Sequence, residues 1–199
     1  MELDSIQSKA KTYGVPIIRT KSHEILEEFT KTHQPEHILE IGTAVGFSGI
    51  TMLSVCSGDL ITIEHNEDFI SQAKENFEKF GLSSRVKIIS GDCHVELAKL
   101  LYSGEFDGFF DMIFLDGPKA QYNLLIDGLI LLLKSGGHLV ADNVLFRGYV
   151  EGTSAVPTRR YKTIIKRLGE FIETCKNHRD LTDFVLNDVE DGMIFVRKI

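Results

Sequence analysis

Cysteine is scarce in this 199-residue sequence: only Cys56, Cys93 and Cys175 occur, far apart and without a C-x-x-C pair. That spacing excludes a disulfide scaffold and a thiolate zinc site, and it suits a reducing, cytoplasmic compartment. Long apolar runs are missing too. The longest candidate, residues 124–133, is broken by Asp127 and Gly128, well short of the roughly 18 residues that a membrane span needs. Met1-Glu2-Leu3-Asp4 offers neither a basic region nor an apolar core, so no secretory signal is expected. No repeat, low-complexity tract or Gly/Ser linker appears, and a single domain over residues 1–199 is expected. G-x-S-x-G, a P-loop Gly-Lys-Ser/Thr and a second histidine after His23-Glu24 are all absent. Hydrolase, NTPase and zincin readings fall with them.

What is present is ordinary for a globular chain: 43% hydrophobic and 26% charged residues, with a net charge of −7 from 22 basic and 29 acidic side chains. An acidic total speaks against a generic nucleic-acid coat protein, although not against a local basic patch. Short apolar runs alternate with helical periodicity, the pattern of parallel βαβ units and an α/β fold. His37-Ile38-Leu39-Glu40-Ile41 reads as a first strand, and residues 47–55 as the following helix. Leu60-Ile61-Thr62-Ile63 is a second strand ending at Glu64. Asn66 then caps a helix with Phe69, Ile70, Ala73, Phe77 and Phe80 along one face, stopped by Gly81. Residues 85–89 read as a third strand and 95–101 as a short helix. Met112-Ile113-Phe114-Leu115 is a fourth strand, residues 122–133 its helix ended by Gly136-Gly137, and His138-Leu139-Val140-Ala141 a fifth strand. A helix over 159–175 follows. Strands near 183–186 and 193–197 meet at the turn Glu190-Asp191-Gly192, an antiparallel edge on a mostly parallel sheet. Residues 22–32 and the first dozen residues read as added helices.

Ligands of open α/β sheets bind beyond the carboxyl ends of the strands, and four such ends carry polar groups. The first is Glu40-Ile41-Gly42-Thr43-Ala44-Val45-Gly46, whose glycines allow a tight turn and close ligand approach. It is not G-x-G-x-x-G, because Ala44 replaces the second glycine; taken alone it also reads as a plain strand-to-helix turn. Glu64, ending the second strand, is placed to accept the ribose hydroxyls of a nucleoside. A weak pyrophosphate turn with a good ribose acid favours S-adenosylmethionine (SAM) over a nicotinamide cofactor. Gly91-Asp92 meets the adenine edge or makes a plain turn. The fourth and fifth ends, Leu115-Asp116-Gly117-Pro118-Lys119 and Ala141-Asp142-Asn143-Val144-Leu145, bring Asp116, Asp142 and Asn143 to neighbouring strand ends. Two carboxylates and an amide oxygen are hard ligands, suited to Mg²⁺ or another hard divalent cation.

These segments resemble the metal-dependent O-methyltransferases, which include the catechol and caffeoyl-CoA enzymes and bacterial relatives. The likeness extends from about Tyr13 to Val196 and rests on Ile38-Leu39-Glu40-Ile41-Gly42-Thr43, Glu64, Asp116-Gly117-Pro118-Lys119 and Asp142-Asn143-Val144-Leu145. Val15-Pro16-Ile17, Phe146-Arg147-Gly148 and Arg159-Arg160 further resemble the bacterial branch that contains tRNA 5-hydroxyuridine methyltransferase. The resemblance implies a Rossmann-like SAM-methyltransferase sandwich with a seven-stranded sheet. It implies that Glu40, Gly42, Thr43, Gly46 and Ser48 hold the methionine part of SAM, Glu64 the ribose, and Asp92 and Cys93 the adenine. Asp116, Asp142 and Asn143 are implied as metal ligands, with Asp116 also beside the cofactor, and Lys119 as general base. Gly117-Pro118 stand where the animal catechol enzymes have His-Trp. A homodimer is implied as well.

The metal chemistry fits two acceptors equally, since a catechol and 5-hydroxyuridine both set a ring hydroxyl beside a second oxygen. Charge by segment separates them. Residues 147–179 hold eight basic side chains (Arg147, Arg159, Arg160, Lys162, Lys166, Arg167, Lys176 and Arg179) against Glu151, Glu170 and Glu173. That stretch is +5, so the remainder of the chain carries −12 of the −7 total. A tRNA substrate contacted through Arg147, Arg159 and Arg160 is the expectation, and a solvated basic helix face the bland alternative. Phe146 and Tyr149 either stack on a splayed base or pack on the core. A catechol-like or caffeoyl-CoA-like small molecule is the second enzyme reading; a non-catalytic SAM- or RNA-binding module is the reading of another class.

Overall fold

The structure is a computed structural model and describes residues 3, 6, 15, 17–152 and 161–199. The chain forms two compact units, Met1–Glu96 and Leu97–Ile199. In the first unit, α1 (Thr20–His33) precedes β1 (His37–Ile41), α2 (Phe47–Val55), β2 (Asp59–Glu64), α3 (Glu67–Lys79) and β3 (Val86–Ser90). β1 and β3 each pair in parallel with β2. The expected Asn66 cap is present: its side-chain oxygen accepts the N–H groups of Asp68 and Phe69 at 3.0 and 3.1 Å, while Ile70, Ala73 and Phe77 turn the apolar face of α3 inward. Every residue from Phe47 to Leu53 of α2 is buried, as its all-round apolar composition requires.

Arg85 ties the end of α2 to the loop that follows it. Its guanidinium donates to the carbonyls of Leu53 (3.0 Å) in the last turn of α2 and of Cys56 (2.8 Å) and Gly58 (2.9 Å from Nε) in the loop between α2 and β2. One planar fork serves all three carbonyls.

The second unit holds α4 (Cys93–Ser103, whose first residues belong to unit one), β4 (Phe110–Leu115), α5 (Tyr122–Leu132), β5 (Leu133–Asp142), α6 (Tyr161–Asn177), β6 (Leu181–Asn187) and β7 (Met193–Lys198). β4 and the end of β5 are apolar and buried, and they pair in parallel. Gly136-Gly137 do not end a helix as the sequence pattern predicts. The chain passes directly from α5 into β5 at Leu133, and the β4–β5 register jumps from Phe110↔Leu133 to Met112↔His138. The two glycines lie in that irregularity, where a side chain at Gly137 would press on the carbonyls of Lys134, Phe110 and Asp111 at 3.0–3.1 Å. Close backbone approach explains Gly137 and a left-handed φ of +82° explains Gly136; neither marks a helix end.

The seven sheet strands run in the order β3-β2-β1 within the first unit and β4-β5-β7-β6 within the second, a Rossmann-like α/β arrangement with six helices among the described residues. The closing hairpin forms the edge anticipated from its turn. Within it β7 runs antiparallel to both β5 and β6. Among the described residues no helix is long and apolar enough to cross a membrane. Of the added N-terminal helices, the predicted 22–32 segment is α1, whereas most of the first dozen residues, together with Pro16, lie outside the described residues.

Replacing Arg85 with alanine leaves three buried-edge carbonyls without their shared donor. Denaturant unfolding of Arg85→Ala is expected to show a loss of roughly 2–3 kcal/mol, with little change for Arg179→Ala, which is 90% exposed.

Candidate active site

At the end of β1, Glu40 is fully buried. Ser48 Oγ donates to its Oε1, and Thr62 Oγ1 donates to its Oε2 at 2.7 Å. A hydroxyl has one proton, so Thr62 must accept from Thr43 Oγ1, 2.6 Å away. The four residues form one chain of hydrogen bonds that ties the β1–α2 turn to β2. The structure thus brings Glu40, Thr43 and Ser48 together, and it adds Thr62, which the sequence reading had passed over. A threonine inside an otherwise apolar strand was the available signal, since a buried hydroxyl needs a partner.

The turn itself is shaped for close approach. Gly42, Ala44 and Gly46 all have left-handed backbone, with φ of +101°, +45° and +83°. Glu64 grips this turn from β2: Oε2 accepts the Ala44 N–H at 2.9 Å, while Oε1 accepts the N–H groups of His65 and Asn66 at 2.9 and 3.0 Å. Three donors hold the carboxylate in a single orientation. Asp92 caps α4, its Oδ1 accepting from His94 N and Val95 N at 3.0 and 3.3 Å. The Cys93 thiol is pushed above its ordinary pKa, first by burial and then by the charges of Asp92 and Glu64, so it is a poor nucleophile.

In the second unit, Asp116 follows β4 directly and Asp142 is the last residue of β5. Asp142 is fully buried. Its Oδ1 accepts the Asn143 N–H at 2.8 Å; its Oδ2 is buried with no hydrogen-bond partner among the described residues. Burial first, and the nearby Asp116 charge second, raise its pKa to about 8, against the pull of the Asn143 N–H and Lys119. Lys119 Nζ lies 3.3 Å from Asp116 Oδ1, both side chains being about one-fifth exposed. The 3₁₀ turn Lys119–Gln121 that carries it is anchored by Arg167, whose Nη1 donates to Ala120 O at 3.0 Å. Asn143 is half-buried and left-handed, with φ +58°.

Tyr122 was also missed. Its ring is fully buried against Phe171, and its hydroxyl lies 3.2 Å from Leu115 O and 3.3 Å from Asp142 O. It therefore joins the ends of β4 and β5 where Asp116 and Asp142 emerge. Burial, then the charges of Asp116 and Asp142, raise its pKa well above the ordinary value and keep it a neutral donor. No sequence spacing announces such a contact.

Asp116 and Asp142 fit a hard divalent cation on one observation: a buried carboxylate oxygen without a donor is costly, and a cation with oxygen preference relieves that cost. Among the described residues no group of three or more His, Cys, Asp and Glu side chains could hold a metal ion; the donors available are the two carboxylates, with Asn143 beside them. Arg147 is exposed; Arg159 and Arg160 lie outside the described residues.

Comparison with known proteins shows the family. The family model described as O-methyltransferase matches residues 4–199. A catechol O-methyltransferase of Niastella koreensis is 34% identical over 141 residues, which are 69% of this chain and 63% of that protein. A solved structure from Staphylococcus aureus, provisionally described as a caffeoyl-CoA O-methyltransferase, superposes with a TM-score of 0.89 at 28% identity, covering 100% of this chain and 93% of that one. The O-methyltransferase of Bacillus cereus, solved in complex with SAH, shares the fold, with a TM-score of 0.83 at 22% identity over 100% of this chain and 90% of that one. The chain belongs to the O-methyltransferase family. It spans a little under two thirds of the length of the Niastella relative.

The raised pKa of Asp142 has a testable sign. The folded chain favours the neutral carboxyl, whereas an unfolded aspartate titrates near 3.9. This stabilising contribution is full below about pH 4 and is lost as pH rises through about 8. In cation-free buffer the melting temperature is expected to decline over that window. Asp142→Asn should flatten the decline and melt above wild type at the alkaline end; a profile parallel to wild type would contradict the assignment.

Proposed function

We propose that this chain is a SAM-dependent O-methyltransferase in which Asp116, Asp142 and Asn143 hold a divalent cation, Mg²⁺ by chemical preference. The observation that supports it most is the unpartnered, buried Asp142 Oδ2 next to Asp116, in a chain of this family. A cation bound there supplies positive charge that lowers the pKa of an acceptor hydroxyl. Lys119, held 3.3 Å from Asp116 and anchored through Ala120, receives the hydroxyl proton at Nζ in its neutral amine form, which a cation bound beside it would favour. Glu64, oriented by three N–H donors, accepts from the ribose of SAM, and the turn from Gly42 to Gly46 seats the methionine part with Glu40, Thr43 and Ser48 beneath it. Asp92 and Cys93 flank the adenine. Pre-set binding groups contribute chiefly by alignment, which removes much of the entropic cost of methyl transfer.

The acceptor is a hydroxyl with a second oxygen beside it on a planar ring. The names of the relatives favour a catechol-like or caffeoyl-CoA-like small molecule. The surface of α6 favours 5-hydroxyuridine of the tRNA anticodon: Lys162, Lys166 and Arg167, with Thr163 and Glu170, line a shallow cavity of about 400 Å³, and Arg147 is exposed. Phosphate contacts of this kind are sequence-independent and salt-sensitive.

Labelled methyl transfer from SAM separates the readings. One arm offers tRNA that lacks the modification, a second offers catechol, and each is run with and without EDTA. Transfer to tRNA that weakens with salt is the expected result. Catechol turnover without any tRNA product would establish the small-molecule reading, and turnover of neither acceptor would favour a binding module. EDTA and Asp142→Ala are each expected to reduce transfer about a hundredfold or more; unchanged rates would remove the cation from the proposal.

A further inference from the structure

Beyond β5 the backbone takes an unusual path. Asn143, Phe146 and Arg147 all have left-handed φ, at +58°, +46° and +62°, and none is glycine. Side chains rarely adopt this region, and such residues persist where the surroundings hold them. Here the holder is the turn before β7. Val144 N donates to Gly192 O at 3.1 Å and Leu145 N to Asp191 O at 2.8 Å. Asp191 Oδ1 accepts the Arg147 N–H at 3.0 Å, and the Asp191 side chain is buried, 7% exposed. Leu145 seats so tightly on the turn that a Cβ at Gly192 would stand 2.4 Å from its Cγ. Two of these three bonds use main-chain acceptors that any residue supplies. The third needs a side-chain acceptor of aspartate's length.

We propose that Asp191 is a positioning residue for the cation site: by accepting the Arg147 N–H, its carboxylate holds residues 143–147 in their left-handed path and so fixes how Asp142 and Asn143 are presented at the end of β5. This rests on the reading of Asp116, Asp142 and Asn143 as cation ligands. Asp191 itself touches no reacting group. Its part is that of an outer partner that orients ligands, a role whose loss typically weakens a metal site without abolishing the fold.

The test compares Asp191→Ala, which removes the acceptor, with Asp191→Asn, which keeps an oxygen acceptor of the same length and removes the charge. Mn²⁺ binding to the full chain is measured by calorimetry, SAM binding in parallel, and the melting temperature without cation as a control for folding. Asp191→Ala is expected to weaken Mn²⁺ binding about tenfold or more with SAM affinity unchanged, and Asp191→Asn to restore binding near wild type. Mn²⁺ affinity at the wild-type level in Asp191→Ala would overturn the proposal. Equal weakening in both variants would overturn it too, because the charge rather than the hydrogen bond would then matter. Wild-type protein that binds no Mn²⁺ overturns the cation reading itself, a result distinct from either. If Asp191→Ala does not fold, Asp191→Ser, too short to reach the Arg147 N–H, carries the same expectation.

Discussion

A carboxylate at the end of a buried strand must find a positive charge, a set of donors or a proton, because water is not there to solvate it. Three carboxylates of this chain meet that requirement in three ways. Glu40 accepts from the hydroxyls of Ser48 and Thr62, with Thr43 completing the chain. Glu64 is satisfied by the backbone N–H groups of Ala44, His65 and Asn66. Asp142 has one N–H donor for two oxygens and rises to a pKa of about 8. Glu40 and Glu64 each have donors on both oxygens, whereas Asp142 has a donor on one oxygen alone among the described residues. That asymmetry separates carboxylates already oriented by the fold from one that still lacks a partner.

Such a group is affordable only on a rigid support. β4 and the end of β5 supply one through the buried apolar runs 112–115 and 139–141, paired in parallel up to Leu115↔Ala141. Tyr122 then fastens their ends, its hydroxyl shared between Leu115 O and Asp142 O and its ring against Phe171. On the far side of Asp142, the Asp191 turn holds a loop that its own side chains disfavour. Lys119 is placed by a different device, Arg167 gripping Ala120. Packing fixes the backbone, and hydrogen bonds from outside the site fix where the backbone releases its side chains. The site is therefore sensitive to residues that touch no ligand.

Much of this was legible from sequence because it follows from local rules. β1 and α2 fall on the predicted residues 37–41 and 47–55, and the Asn66 cap was visible from a side chain two and three residues ahead of the N–H groups it accepts. Asp116 and Asp142 stood out as strand-end carboxylates because each directly follows an apolar run, whereas Lys119 was singled out only through the family resemblance. The misreadings have the opposite character. Gly136-Gly137 looked like a helix stop because pattern alone cannot distinguish an exit glycine from one squeezed between carbonyls of a neighbouring strand. Tyr122 and Asp191 act across 7, 20 and 44 residues of sequence, through contacts that no periodicity encodes. Asp191 in particular read as an ordinary turn residue, which it is, while its side chain works elsewhere.

The +5 stretch needs the same distinction between composition and contact. Counted as charge it is a phosphate-binding face, yet several of its cations already have partners: Lys166 lies 3.6 Å from Glu170, Arg179 3.5 Å from Asp180, and Arg167 donates to Ala120 O. Exposed ion pairs such as the first two contribute about 0–1 kcal/mol, so a phosphate can replace the carboxylate at little cost. Arg167 is different, because its bond positions the turn that carries Lys119. A polyanion that drew Arg167 away would loosen that turn, whereas one that engaged Lys162 and Lys166 would leave it intact. Under the proposed tRNA reading, phosphate contact on α6 is therefore constrained to the cations that hold no part of the fold, and net charge overstates the surface available for it.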